Sequence, residues 1–140
     1  MGPRRARVGL ARKVLLGSEA VVLLIAASVA IRILPSPRVL RLLGRPAPPE
    51  PPSPPPAEPG HARLVGRAVE RVSGHLPWRP LCLAQAIATR VMLGRRGIDC
   101  EGHLGVRTTA PFDAHAWVTV GDVVVQGAPI EGVTELAVLR

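Results

Sequence analysis

The sequence predicts an α+β domain preceded by a helical extension. Apolar residues recur at helical spacing up to Gly97, and three short runs of β character follow it. Nine prolines between residues 46 and 59 separate the two regions. This pattern divides the chain into a basic and apolar helical extension at 1–45, a proline-rich linker at 46–60 and a folded unit at 61–140. A chain of 140 residues excludes a large multidomain enzyme.

From Arg4 to Lys13 the chain is basic, and from Ala20 to Ile31 it is apolar apart from Ser28, closed by Arg32, Pro35 and Pro37. A spanning helix needs about 20 apolar residues, so Glu19 and Arg32 leave this run short. It reads as a buried or interfacial helix. The rival reading is an export signal, since a basic start, an apolar stretch and Ser28-Val29-Ala30 fit that pattern. The prolines of the linker fix φ and remove backbone donors, which predicts an extended, semi-rigid spacer. The folded unit is near the size at which one core is marginally sufficient, so packing help from the N-terminal helix is expected.

In that unit Leu64, Ala68 and Val72 share a helical face, and His75-Leu76-Pro77-Trp78-Arg79-Pro80 ends the helix, because proline disfavours a helical residue before it. A second helix starts near Leu81, runs through Leu93 and is capped by Gly97, which places Cys82 in its first turn. Strands are predicted at His103 to Arg107, Ala114 to Val120 and Val123 to Gln126. Gly121-Asp122 joins the last two as a two-residue hairpin turn.

The net charge of +8 is unevenly placed. Residues 1–45 hold nine Lys/Arg against Glu19 alone, while residues 46–140 hold nine Arg against nine acids. The excess is N-terminal and suits an acidic partner or an anionic surface. No aromatic residue interleaves these cations, which argues against a nucleic-acid partner. Two cysteines and four scattered histidines make no metal-ligand spacing.

A cysteine at a helix N-terminus faces unpaired N–H groups and the positive end of the helix dipole, which favour the nucleophilic thiolate. Thirty-three residues later His115 lies in Ala114-His115-Ala116-Trp117-Val118. A helix-borne cysteine and a strand-borne histidine are the working pair of papain-like and transglutaminase-like enzymes. A turn centred on Gly121-Asp122 puts Val118 opposite Val125 and Trp117 opposite Gln126, so that His115, Trp117 and Gln126 share a face. Gln126 is then the expected acceptor that orients the imidazole. Asp122 is about 16 Å along the strand and out of reach. Asp113, on the His115 face, is the reserve candidate.

The stretches His75-Leu-Pro-Trp-Arg-Pro-Leu-Cys-Leu-Ala-Gln-Ala86, Leu93-Gly-Arg-Arg-Gly-Ile98, His103-Leu-Gly-Val106 and Ala114-His-Ala-Trp-Val118 resemble, in order and spacing, the leader peptidases of lasso-peptide biosynthesis, a branch of the transglutaminase-like cysteine peptidases. The region from Ser18-Glu19-Ala20 to Leu43-Gly44 is similar to the helical part preceding that family's catalytic core. The resemblance implies Cys82 as nucleophile and His115 as general acid/base. The family usually has an aspartate near the end of the strand after the histidine, where this chain has Gln126-Gly127.

The resemblance further implies a small papain-like/transglutaminase-like domain with a nucleophile helix packed on an antiparallel sheet. Its reaction is hydrolysis of one peptide bond in a ribosomally made precursor peptide, freeing the core's N-terminal amine. No cofactor is implied. The partners implied are the precursor, a small leader-binding recognition protein, and a separate ATP-dependent, asparagine-synthetase-like cyclase. The Cys82 backbone N–H is a natural oxyanion donor, with the Trp78 indole N–H as a second. The setting expected is the cytoplasm, with a peripheral membrane contact through residues 1–34. Trp117 is read as core packing, Cys100 as an uninvolved thiol, and His61, His75 and His103 as structural or surface residues. Two other readings stay open: a non-catalytic scaffold of the same fold, since Gln126 departs from the family, and a small membrane-associated basic protein with coincidental Cys/His spacing.

Overall fold

The computed structural model describes residues 3–46, 59–108, 111 and 113–140. Helices α1 (Pro3–Ile33), α2 (Ser36–Leu43), α3 (Gly60–His75) and α4 (Cys82–Gly94) precede strands β1 (Glu101–Arg107), β2 (Asp113–Val120), β3 (Val123–Gln126) and β4 (Val133–Leu139). The α+β class expected from the sequence is borne out. Most of the predicted proline spacer, residues 47–58, lies outside those described, while Pro46 bridges to Leu139 and Gly60 already begins α3.

Helix α1 is longer than the apolar run suggested. It carries the chain from Pro3 to Ile33 without a break, and Gly9–Ile33, with mean hydropathy 2.4, is long and apolar enough to cross a membrane by length and composition. Counting from Glu19 missed this, because Glu19 is neutralised by residues distant in sequence. Its carboxylate accepts from Arg96 at 2.5 and 3.1 Å and pairs with Arg95 at 3.0 Å. Leu16, Ala20, Leu24 and Ala27 recur every three or four residues along one face and are buried against α3 and α4. The described parts of 1–45 and 61–140 thus share one core.

Prolines set the remaining helix limits. Pro37 sits in the first turn of α2, where its missing donor costs nothing. Helix α3 stops at Leu76, which turns extended before Pro77. Helix α4 starts at Cys82 after an extended Leu81, and beyond its end Gly97 takes a left-handed φ of 67°.

The four antiparallel strands lie in the order β3-β2-β1-β4. Alternation divides β2: Ala116, Val118 and Val120 are buried in the core shared with the helices, while His115, Trp117 and Thr119 take the other face. Helix α3 lies close to β3, because Gly66 has no side chain; a Cβ there would overlap the Val125 carbonyl oxygen. Strand β4, which the sequence reading did not anticipate, joins the far edge by pairing with β1.

Candidate functional site

Helix α4 delivers the thiol. Pro80 and the extended Leu81 set Cys82 as the first helical residue, and no side chain caps that end. The first N–H seen to close a helical bond to a carbonyl before Cys82 is that of Gln85, to Leu81 at 3.1 Å. The N–H groups of the first turn have no intrahelical acceptor, which makes this end a donor site for a developing oxyanion. The Gln85 side chain ties the turn down by donating to the Pro80 carbonyl at 3.1 Å. Trp78 stands half-exposed on the preceding turn.

The half-buried Cys82 thiol donates to the Ala114 carbonyl at 3.6 Å, one residue before His115. Cys82 and Ala114, 32 positions apart in the chain, are therefore neighbours at the start of β2. The His115 ring donates from Nε2 to the backbone carbonyl of Gly127 at 2.6 Å, leaving Nδ1 as the nitrogen for proton exchange. Trp117 lies against it, with ring centroids 5.9 Å apart. On the other side Trp117 stacks on His103 at 5.2 Å, and His103 is held in turn by Glu135 at 2.7 Å and Thr119 at 2.8 Å. This run of three rings leaves Trp117 buried between two imidazoles.

Gln126 is not where the hairpin geometry put it. Val120 faces Val123 and Thr119 faces Val124 as expected, but an extra residue, Val125, then shifts the register so that Gln126 pairs with Val118. A shift of one residue moves a side chain to the opposite face. Gln126 therefore shares the core face with Val118, away from His115. It is 2% exposed, and its Oε1 has no hydrogen-bond partner among the described residues. Asp113 is exposed at the strand start, paired across the sheet with Arg107.

Gly127 was not singled out from the sequence, although the missing family aspartate pointed to its neighbourhood. Its φ of 93° belongs to the left-handed region, and a Cβ would come within 2.6 Å of the Trp117 Cβ. Its own N–H donates to Glu70 of α3 at 2.9 Å. Glu70 also borders an open cleft of about 390 Å³ with Ser73, Gly74, Arg79, Pro80 and Gln85. The cleft reaches from α3 to the first turn of α4.

The remaining candidates lie apart from this constellation. Cys100 is largely buried, and that burial pushes its thiol above the usual range. His61 accepts from Arg12, and His75 donates to the Arg71 carbonyl at 2.7 Å. Burial, followed by the Arg12 and Arg96 charges, holds His61 below its ordinary range. Among the described residues no three His, Cys, Asp or Glu side chains gather into a metal-binding group.

This chain is 44% identical over 48 residues to the Microcin J25-processing protein McjB of Escherichia coli. The match covers 34% of this chain and 23% of that protein, so the aligned region is under a quarter of the relative's length. No solved structure matches the chain. A family model described as the transglutaminase-like superfamily matches residues 21–140, from within α1 to the last strand, and the chain belongs to that superfamily.

Proposed function

We propose that this protein is a cysteine peptidase that removes the leader from a ribosomally synthesised lasso-peptide precursor. The observation that carries the reading is the Cys82 thiol at the start of α4, bonded to the Ala114 carbonyl one residue before His115, whose Nε2 donates to Gly127. In this reading the Cys82 thiol gives its proton to His115 Nδ1, which leaves thiolate and imidazolium. The thiolate attacks the scissile carbonyl, and the oxyanion is met by the Cys82 N–H at the helix start, with the Trp78 indole as the second donor. Imidazolium protonates the leaving amine, which is the N-terminus of the core peptide. Water then hydrolyses the acyl-enzyme on the leader side. The likeness to a microcin-processing protein supports this substrate class.

In this reading a small leader-binding protein presents the precursor, and a separate ATP-dependent cyclase takes the freed amine. The protein acts on the cytoplasmic side, with α1 seated on an anionic lipid surface. Support for the lipid contact comes from the face opposite the buried one, where Leu10, Val14, Val22, Ile25 and Val29 are exposed. That stripe runs roughly 30 Å along the helix, and exposed Arg12, Lys13 and Arg32 stand at its two ends. Pairing two copies along it sets cation against cation, whereas anionic headgroups are complementary. The contact lies in the membrane plane, because the opposite face of α1 belongs to the core. Sedimentation with phosphatidylglycerol vesicles tests this: Val22→Glu/Val29→Glu abolishes binding, and equal binding to pure phosphatidylcholine overturns it.

The peptidase reading is tested by mass spectrometry of a precursor incubated with the protein and its leader-binding partner. Cys82→Ala and His115→Ala each abolish cleavage while Cys100→Ala retains it. Equal activity in all three removes the assignment. A scaffold role would instead leave assembly with the cyclase intact in every variant, with no cleavage by the unaltered protein.

A further inference from the structure

Resting on the peptidase reading, we infer that Glu70 supplies, from α3, the negative charge that this chain lacks at the end of β3. The imidazole needs an acceptor at Nε2 and, once protonated, benefits from a nearby anion. Gly127 divides these two tasks. Its carbonyl accepts from His115 at 2.6 Å, and its N–H is held by the Glu70 carboxylate at 2.9 Å. A side chain at this position would strike Trp117, so a carboxylate cannot grow from Gly127 itself without moving the stacked ring. The open route is from the neighbouring helix, and Glu70 takes it. Gly66, one turn earlier on α3, is what brings that helix close enough to β3.

Glu70 is a positioning residue: it fixes the loop whose carbonyl orients His115, and its charge favours the imidazolium that forms when Cys82 ionises. Other charged or titratable groups on the elements around His115 include Asp113 on β2, Glu101, His103 and Arg107 on β1, Glu135 on β4, Arg90 on α4 and Arg79 before it. Asp113 is exposed at the start of β2 and Glu135 is engaged with His103, whereas Glu70 is bonded to the residue that holds the ring.

The discriminating variant is Glu70→Gln in a Cys100→Ala background, because an amide oxygen keeps the bond to the Gly127 N–H while the charge is lost. Two readouts are taken: precursor cleavage, and the pH profile of iodoacetamide alkylation at Cys82, which needs no precursor. Glu70→Gln is expected to keep the thermal midpoint of the background protein and move the onset of alkylation to higher pH. Its kcat falls by about 10–100-fold with KM within about twofold, short of the ~10⁴-fold expected where a carboxylate touches imidazole directly. Glu70→Asp, which keeps the charge, recovers part of both. An alkylation profile and kcat unchanged in Glu70→Gln overturn the inference. So does a rise in KM alone, which would make Glu70 a substrate contact in the cleft. Cleavage by the parent protein with an unaffected Glu70→Gln variant leaves the peptidase reading standing, whereas absence of cleavage by the parent removes that reading.

Discussion

His115 Nε2 and the carbonyl oxygen of Gly127 are 2.6 Å apart, so the ring of the proposed general acid/base is oriented by the main chain and, among the described residues, by no side-chain carboxylate in direct contact. A main-chain acceptor fixes the tautomer as well as a side chain does. It is sensitive to backbone conformation in a way a side chain is not, and the first prediction follows from that.

Gly127→Ala adds a methyl group 2.6 Å from the Trp117 Cβ on a backbone with φ of 93°. Left-handed strain at a non-glycine residue costs about 1–3 kcal/mol, and relief of the contact swings the carbonyl away from His115. Cleavage is expected to fall at least tenfold, by analogy with other lost orienting contacts, and the thermal midpoint to drop by several degrees, on the order expected for that energy. Wild-type kcat in a folded Gly127→Ala protein would show that the carbonyl does not orient the ring.

Gln126→Met should be tolerated. The amide is buried and its Oε1 is without a partner among the described residues, so replacing it with an apolar chain of similar length removes an uncompensated polar group, worth about 1–3 kcal/mol. The melting temperature is expected to stay level or rise, and precursor cleavage to remain within twofold on the same physical ground. A large loss of kcat with unchanged stability would return the orienting role to Gln126.

The opposite roles of Gln126 and Gly127 mark where the sequence stopped being legible. Alternation in β2 and the glycine turn correctly predicted the hairpin and its first two pairs. The bulge at Val125 depends on how closely α3 approaches β3, which is a tertiary fact. The places of Cys82 in α4 and His115 in β2 could be read because proline limits the start of α4 and a single β run carries the histidine. Glu70 could not, since its contact with Gly127 exists only where α3 meets the end of β3. Strand β4 was missed for a similar reason: it pairs with β1 across a long separation, and three consecutive residues of its seven, Thr134 to Leu136, are exposed, so the run lacks a clean apolar alternation. Helix α1 was read as short because Glu19 looked like a boundary, when Arg95 and Arg96, far along the chain, neutralise it.

The two thiols should differ in reactivity. Burial pushes Cys100 up, which lowers its thiolate fraction at any given pH. Cys82 is at an uncapped helix start beside the cleft. Iodoacetamide at neutral pH, followed by peptide mapping, is expected to modify Cys82 first, and Cys100 mainly on unfolding. Faster labelling of Cys100 in the folded protein would contradict both the burial and the assigned nucleophile.

Glu19 fastens α1 to the end of α4, and its loss should appear as acid sensitivity. The hydrogen bond from Arg96 holds its carboxyl below the ordinary value of 4.5; partial burial works against this, and the Arg96 and Arg95 charges add to the lowering. A carboxyl lowered in the folded state contributes stability that is present above 4.5 and is lost as pH falls through the folded value. Glu19→Gln should therefore lower the melting temperature at neutral pH by an amount equivalent to about 1 kcal/mol, while at a pH below the folded value the two proteins converge. Because Leu16, Ala20 and Leu24 still hold α1 against the core, the variant remains folded, and circular dichroism melts at a series of pH values read the difference directly. A gap between the two proteins that persists unchanged in acid would assign the contribution of Glu19 to packing and not to its charge.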